Sequence, residues 1–200
     1  AKAGLAVETR RLCCYPAESG FVTAITDKIR ALLEDRGLET GFRLLFSAHG
    51  LPQKVVDGGD PYQAQVEMTA AAVVDQLALP DLDWRVCYQS RVGRLEWIKP
   101  YTEDELHRAG VEKKPVVVVP IAFISEHSET LVELDIEYGE LAEKAGIPAY
   151  YRVGTVDCHQ AFINGLAGLA RRMTGQNTEM TCDGRSRICA AAHGRCPMKG

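Results

Sequence analysis

The hydrophobic pattern changes period repeatedly along the 200 residues. Its longest apolar run, Val116 to Ile124, is rich in valine and reads as a strand buried on both faces of a parallel sheet. The polar residues that follow put Glu126, Glu129, Glu133, Glu137 and Glu140 on one stripe at helical spacing, so carboxylates are expected at the carboxyl end of a core strand. Upstream, Val7 to Tyr15 reads as a first strand, stopped by Pro16. Ser19 to Arg36 reads as an amphipathic helix, with Phe21, Ile25, Ile29 and Leu32/Leu33 on its apolar stripe and Gly37 at its end. Phe42 to Ala48 predicts a second strand that runs into His49-Gly50-Leu51-Pro52. A glycine-containing loop, Asp57 to Asp60, leads to Pro61 and a helix reaching about Leu79. Trp84 to Tyr88 reads as a third strand, Glu103 to Ala109 as a short helix, Ala149 to Val153 as a fifth strand, and Gln160 to Met173 as the last helix. Strands alternating with helices predict an α/β fold, flavodoxin- or Rossmann-like, with a parallel sheet of about four to five strands flanked by helices.

After Thr174 the periodicity fades. The last 27 positions hold three of the seven cysteines and read as an irregular tail, 174–200, attached to an α/β domain, 1–173. The chain opens in what reads as mid-domain sequence, and AKAGLAVETRR has no apolar core region, so no signal peptide is expected there.

Composition narrows the function classes. With 46% hydrophobic and 25% charged residues the chain reads as an ordinary globular protein. A net charge of −4 and the absence of a basic patch interleaved with aromatics argue against nucleic acid as a partner. Val116 to Ile124 is too short to span a bilayer and contains Pro120. Peripheral contact with an inner membrane stays compatible with this pattern, as does a homodimer. An odd number of scattered cysteines does not resemble a secreted disulfide framework, so a reducing, cytoplasmic setting is expected.

The candidate chemistry gathers at the strand ends. Open α/β sheets bind ligands outside the carboxyl ends of their strands. His49 and the turn bearing His127 and Glu129 should therefore share one rim, where a histidine facing a carboxylate can bind a divalent metal or pass protons. The bland alternative for His49 is a loop histidine capping a backbone group, and for the acidic stripe a solvated helix face, which we keep for Glu137 and Glu140. In the loop after the third strand, Gln89, Ser90 and Arg91 with Trp97 would suit a flat ligand with anionic edges; otherwise Trp97 packs on the sheet. Cys182, Cys189 and Cys196 can ligate a cluster if a fourth thiol joins them from Cys14, Cys13 or Cys158, or from a segment outside these residues. Cys87, within a strand, reads as a small core residue.

Three stretches together resemble a known family: LLFSAHGLP (Leu44 to Pro52), YQSRVGRLEWIKP (Tyr88 to Pro100) and VVPIAFISEHSETLVELDIEY (Val118 to Tyr138). The chain resembles the C-terminal half of ferrochelatase from about Leu12 to Arg172, with a cysteine-bearing tail like that of the members carrying a [2Fe-2S] cluster. The resemblance implies a chelatase-like fold and insertion of Fe2+ into protoporphyrin IX to make protoheme, a lyase reaction. It implies that His49 and Glu129 are the catalytic and metal-facing pair, opposed across the porphyrin, with His127 and Glu133 supporting the site and an acidic path. Ser90 and Trp97 fall in the porphyrin-contacting loop. The cluster would take Cys182, Cys189, Cys196 and, in preference to Cys158, Cys14. It also implies an N-terminal α/β half, absent from these residues, that supplies the other wall of the cleft; alone, the 200 residues are expected to show little or no activity. Competing expectations are a tetrapyrrole- or metal-binding module without turnover, a related cobalt or nickel chelatase, and an Fe–S sensor built on the tail.

Overall fold

The central strands explain the architecture. In the computed structural model, which describes residues 4, 7–175, 179–183 and 186–198, β2 (Arg43–His49) and β4 (Val116–Pro120) lie side by side and parallel. Leu44, Leu45, Phe46, Ala48, Val116, Val117 and Val118 have no exposed surface. Burying such side chains stabilises by roughly 1.5–3 kcal/mol each, which is why these two segments take the middle. β3 (Asp83–Gln89) pairs with β2, and β5 (Tyr150–Arg152) with β4, giving the order β3-β2-β4-β5, all parallel.

Helices cover both faces. On one side α1 (Ser19–Arg36), α3 (Tyr62–Leu77) and α6 (Gln160–Thr174) pack on Leu44, Phe46, Val117 and Val119. On the other, α4 (Thr102–Val111), a π-helix (Glu129–Glu137) and α5 (Tyr138–Lys144) pack on Leu45, Cys87, Val116 and Val118. The connection from β2 runs outward to β3, and the next runs from β3 back across β2 to β4, so the winding reverses there and the crevice for a ligand lies at the carboxyl ends of these strands. No helix of the described residues is long and apolar enough to cross a membrane.

The α/β class and the parallel sheet agree with the sequence expectation; four elements differ. Of the expected first strand, Val7 to Tyr15, only β1 (Arg11–Leu12) pairs, and its partner is β6 (Met180–Thr181) from the tail rather than the main sheet. The segment carries Glu8, Thr9, Arg10 and Arg11, so it cannot be buried on both faces. The tail is thereby tied to the start of the chain by Arg11 N–H to Glu179 O and Cys13 N–H to Thr181 O, both 2.8 Å. The strand read as Val116 to Ile124 stops at Pro120, which has no N–H to continue a ladder. The acidic stretch begins helical hydrogen bonding only at Glu129, and in the wider π form, so the expected single stripe breaks up. A short helix, α2 (Gln53–Asp57), replaces the start of the expected loop.

Opposite the ligand edge, Arg43 is buried and bridges Asp83 (2.8 Å) and Glu112 (2.7 Å), while Lys114 reaches Asp83 at 2.6 Å. Burial opposes ionisation of Asp83, but the hydrogen bonds and charges of Arg43 and Lys114 outweigh it and hold the carboxyl down to about 2. A carboxyl depressed in the folded state contributes stability above its unfolded value of 3.8 and loses it as pH falls toward 2. Acid titration of thermal stability should therefore show a loss of roughly 2 kcal/mol across that window, absent in Asp83→Asn, which itself should lower Tm at neutral pH.

Candidate functional site

His49 is the last residue of β2 and sits in register with Gln89, the last residue of β3. Its ring is half-exposed. Nδ1 lies 2.6 Å from the carbonyl of Gly50, and a carbonyl only accepts, so Nδ1 carries the proton. In the neutral ring the lone pair is then on Nε2, which faces the Glu129 carboxylate at 4.0 Å. The turn that aims His49 needs Gly50: a Cβ there would meet Gln89 O at 3.1 Å and the Trp97 ring at 3.2 Å. Gly50 N–H donates to Gln89 O at 2.8 Å, closing the turn onto the neighbouring strand.

Glu129 opens the π-helix. Its N–H donates to His127 Nδ1 at 3.0 Å, so His127 is the acceptor that caps this helix, with its ring edge-on to Phe123. The two histidines are thus held in opposite tautomers: His127 turns its unprotonated nitrogen to the Glu129 backbone N–H, and His49 turns its own to the Glu129 carboxylate. Glu133 behaves differently from its expected place on an acidic path. Its carboxylate accepts from Gln89 Nε2 (3.0 Å), Ser90 N–H (2.7 Å), the Ser90 hydroxyl and the Tyr138 hydroxyl (3.2 Å). A carboxylate so saturated fastens the π-helix to the end of β3. Glu126 is also committed elsewhere, to Arg152 at 3.0 Å and Thr155 N–H at 2.9 Å, while Glu137 and Glu140 are exposed, Glu140 pairing with Lys144.

The centre of this framework is Gln89, which sequence reasoning left as one loop donor among several. It is fully buried. Its carbonyl oxygen accepts from Ser47 at 2.8 Å, and its amide donates to Glu129 O and to Glu133, each at 3.0 Å. Ser47 in turn contacts Thr102 at 3.0 Å. Buried amides must be satisfied, and the periodic signal for such a residue would have been a polar side chain at the end of an apolar strand. Tyr62 was missed as well: its hydroxyl donates to His49 O at 3.0 Å. Burial, then the charge of Glu129, push that phenol up to about 12, so it stays protonated and able to donate.

Ser90 and Trp97 both make contacts within the chain. The Ser90 hydroxyl is spent on Glu133, and its φ of 65° bends the chain away from β3. Trp97 is buried, bridged to Pro52, with its ring 6.4 Å from His49.

A second cluster lies at the tail. The thiols of Cys13, Cys14 and Cys182 are all within 4.8 Å of one another. Cys189 and Cys196 fall outside that trio, Cys189 accepting from Gln65 Nε2 at 3.5 Å, and all five are free. Burial, then the neighbouring Cys182, push the Cys13 thiol up to about 11; burial raises Cys14 and Cys189 too. Cys158 is exposed and outside this group, and Cys87 is a buried core residue whose thiol burial pushes up to about 12.

Over residues 1–174 the chain matches the family model described as ferrochelatase. The ferrochelatase of Caulobacter vibrioides (strain NA1000 / CB15N) is 51% identical over 186 residues, covering 93% of this chain and 53% of that protein. That of Phenylobacterium zucineum is 49% identical over 193 residues, 96% of this chain and 55% of the relative. That of Rickettsia bellii (strain OSU 85-389) is 45% identical, covering 95% and 53%. The chain thus spans about half the length of these curated relatives. Among solved structures, SirB from Bacillus subtilis with Fe3+ superposes with a TM-score of 0.53 over 76% of this chain and 54% of that one, at 15% identity, a likeness of fold. Replacing Gln89 by Met keeps the volume but strands Ser47 and Glu133; a loss of roughly 1–3 kcal/mol in denaturant unfolding is expected, larger than for Gln63→Met on the exposed face of α3.

Proposed function

This chain belongs to the ferrochelatase family, and we propose that in the whole protein it supplies one wall of a site that inserts Fe2+ into protoporphyrin IX to give protoheme. The observation that carries the reading is the pair itself: His49 Nε2, unprotonated in the neutral ring, 4.0 Å from Glu129 on the ligand edge of the sheet. Insertion replaces two pyrrole protons by one metal ion, so the site must accept protons as the nitrogens take up Fe2+. The imidazole takes the two pyrrole protons at Nε2 one after the other, and Glu129, half-exposed beside it, stabilises each imidazolium and passes its proton on to water before the next is taken. The resemblance led us to expect the two groups on opposite sides of the macrocycle. A ring between them would need a contact of about 3.5 Å on each side, more than the present 4.0 Å allows. We therefore assign both to one face of the porphyrin, with the opposite face left to the rest of the protein. Glu133, Gln89 and Ser90 hold Glu129 in register, and His127 caps its helix; none of them conducts protons in this scheme.

The thiol group suits a [2Fe-2S] cluster. Four thiolates are needed: three thiols lie within 4.8 Å of one another and two more follow on the same tail, and burial raises the pKa of Cys13, Cys14 and Cys189, the condition that a bound metal reverses. Cys182, Cys189, Cys196 and Cys14 would hold it, with Cys13 at their side. When bound, the cluster would supply a cross-link between the tail and the start of the chain, along the line that β1 and β6 already mark.

The test is zinc or iron insertion into protoporphyrin by the whole protein. His49→Ala and Glu129→Gln should each lower kcat by about 10²-fold or more. Unchanged turnover in both would sink the assignment, and porphyrin binding without metallation in the unaltered protein would favour a binding module. Purified protein should absorb in the visible range, and Cys182→Ser should remove that absorption.

A further inference from the structure

The cysteine group and His49 are joined by one helix end. α3 begins beside both: Tyr62 in its first turn donates to His49 O at 3.0 Å, and Gln65, one turn on, donates to Cys189 Sγ at 3.5 Å. The loop that launches α3 is in turn covered by the tail. Arg195 N–H donates to Gly59 O at 3.1 Å, and a Cβ on Gly59 would lie 2.9 Å from Gly194 N, so the two backbones touch. Gly59 has φ +93°, and Asp60 accepts from Tyr62 N–H at 2.9 Å, so the loop's shape fixes where Tyr62 starts. Thr69, further along α3, donates to Pro16 O at 2.7 Å, close to Cys14.

This helix end is incompletely packed on the side that faces Cys14. A cavity of about 280 Å³ is lined by Cys14, Tyr15, Tyr62, Gln65, Ile121 and Ile124. Where packing is incomplete, position is set by the hydrogen bonds that remain. For Tyr62 those run to His49 on one side and, through Gln65 and the Gly58–Asp60 loop, to the tail on the other.

We propose that Tyr62 is a positioning residue for His49, and that the cysteine-bearing tail sets its place through the first turns of α3. This rests on reading His49 and Glu129 as the insertion site. Whatever fills the thiol group thereby acts on the histidine it does not touch: ordering of Cys189 fixes Gln65, Gln65 fixes the helix end, and Tyr62 fixes the carbonyl of His49. Ligands at the thiols and at the site are then linked by one shared element, with reciprocal effects on affinity.

The measurement is Zn2+ affinity of the whole protein, counted as the binding that His49→Ala removes, beside kcat, porphyrin KM and Tm. Tyr62→Phe, which loses only a hydroxyl, should weaken that affinity and kcat by roughly five- to tenfold, the scale of one hydrogen bond, with porphyrin KM within about twofold and Tm nearly unchanged. Gln65→Leu leaves every thiol in place; it should keep the visible absorption yet weaken Zn2+ binding several-fold. The double variant should be no worse than Tyr62→Phe alone. Zn2+ affinity unchanged in Tyr62→Phe, or losses that multiply in the double variant, would overturn the proposal. Should the unaltered protein bind Zn2+ at His49 without inserting it, with the same losses in the variants, the proposed function falls and the coupling stands.

Discussion

Everything at the ligand edge depends on two strands that water cannot reach. β2 and β4 are buried on both faces, so they must run side by side in the centre, and their register fixes which residues emerge together. A shift of one residue would turn Leu44 and Leu45 to the wrong layers, against helices shaped for the other side chain. That cost is what makes the end of β2 a fixed point. His49 inherits its position from the core, before any polar contact acts on it.

The polar contacts then do what the core cannot. Parallel strands end at one edge but say nothing of how a helix sits above them. Gln89 resolves this with a fully buried amide whose hydrogen-bonding capacity is divided between the sheet, through Ser47, and the π-helix, through Glu129 O and Glu133. Each buried donor or acceptor left unmet costs about 1–3 kcal/mol, so the network has a single satisfied arrangement. It is also why Glu133 differs from Glu129. The first carboxylate is consumed in holding the helix; the second is left free by the same bonds, aimed at His49.

What could be read from the sequence follows this division. Local signals gave the helices and the four strands of the main sheet, because each carries its own period: Phe21, Ile25 and Ile29 for α1, the valine run for β4. The rim position of His49 and Glu129 followed from the parallel sheet alone. Less legible were the features decided by distant partners. β1 carries no buried face, and its pairing with β6 joins the two ends of the chain. The π form of Glu129–Glu137 breaks a stripe that looked regular at α-helical spacing, and nothing in the run of carboxylates announces which will be saturated. The local contacts of Trp97 and Ser90, beside Gly50 and on Glu133, likewise depend on residues distant in sequence.

The tail extends the same logic. A segment with little periodicity has no core of its own to hold it. Among the described residues its contacts include two residues of strand, a backbone touch at Gly59, and the thiol of Cys182 beside Cys13 and Cys14. Cys13, Cys14 and Cys182, drawn within 4.8 Å, repel once ionised, so the grouping is stable only with the protons kept on, as the raised Cys13 and Cys14 values express, or with a cation among them. The tail's anchorage is therefore conditional in a way the sheet's is not. Because α3 leans on that anchorage at Gly59 and Gln65 while reaching His49 through Tyr62, a conditional element abuts a fixed one at the residue where the chemistry is assigned. The rigid sheet sets where the histidine is; the tail, through one phenol, sets how firmly it is held.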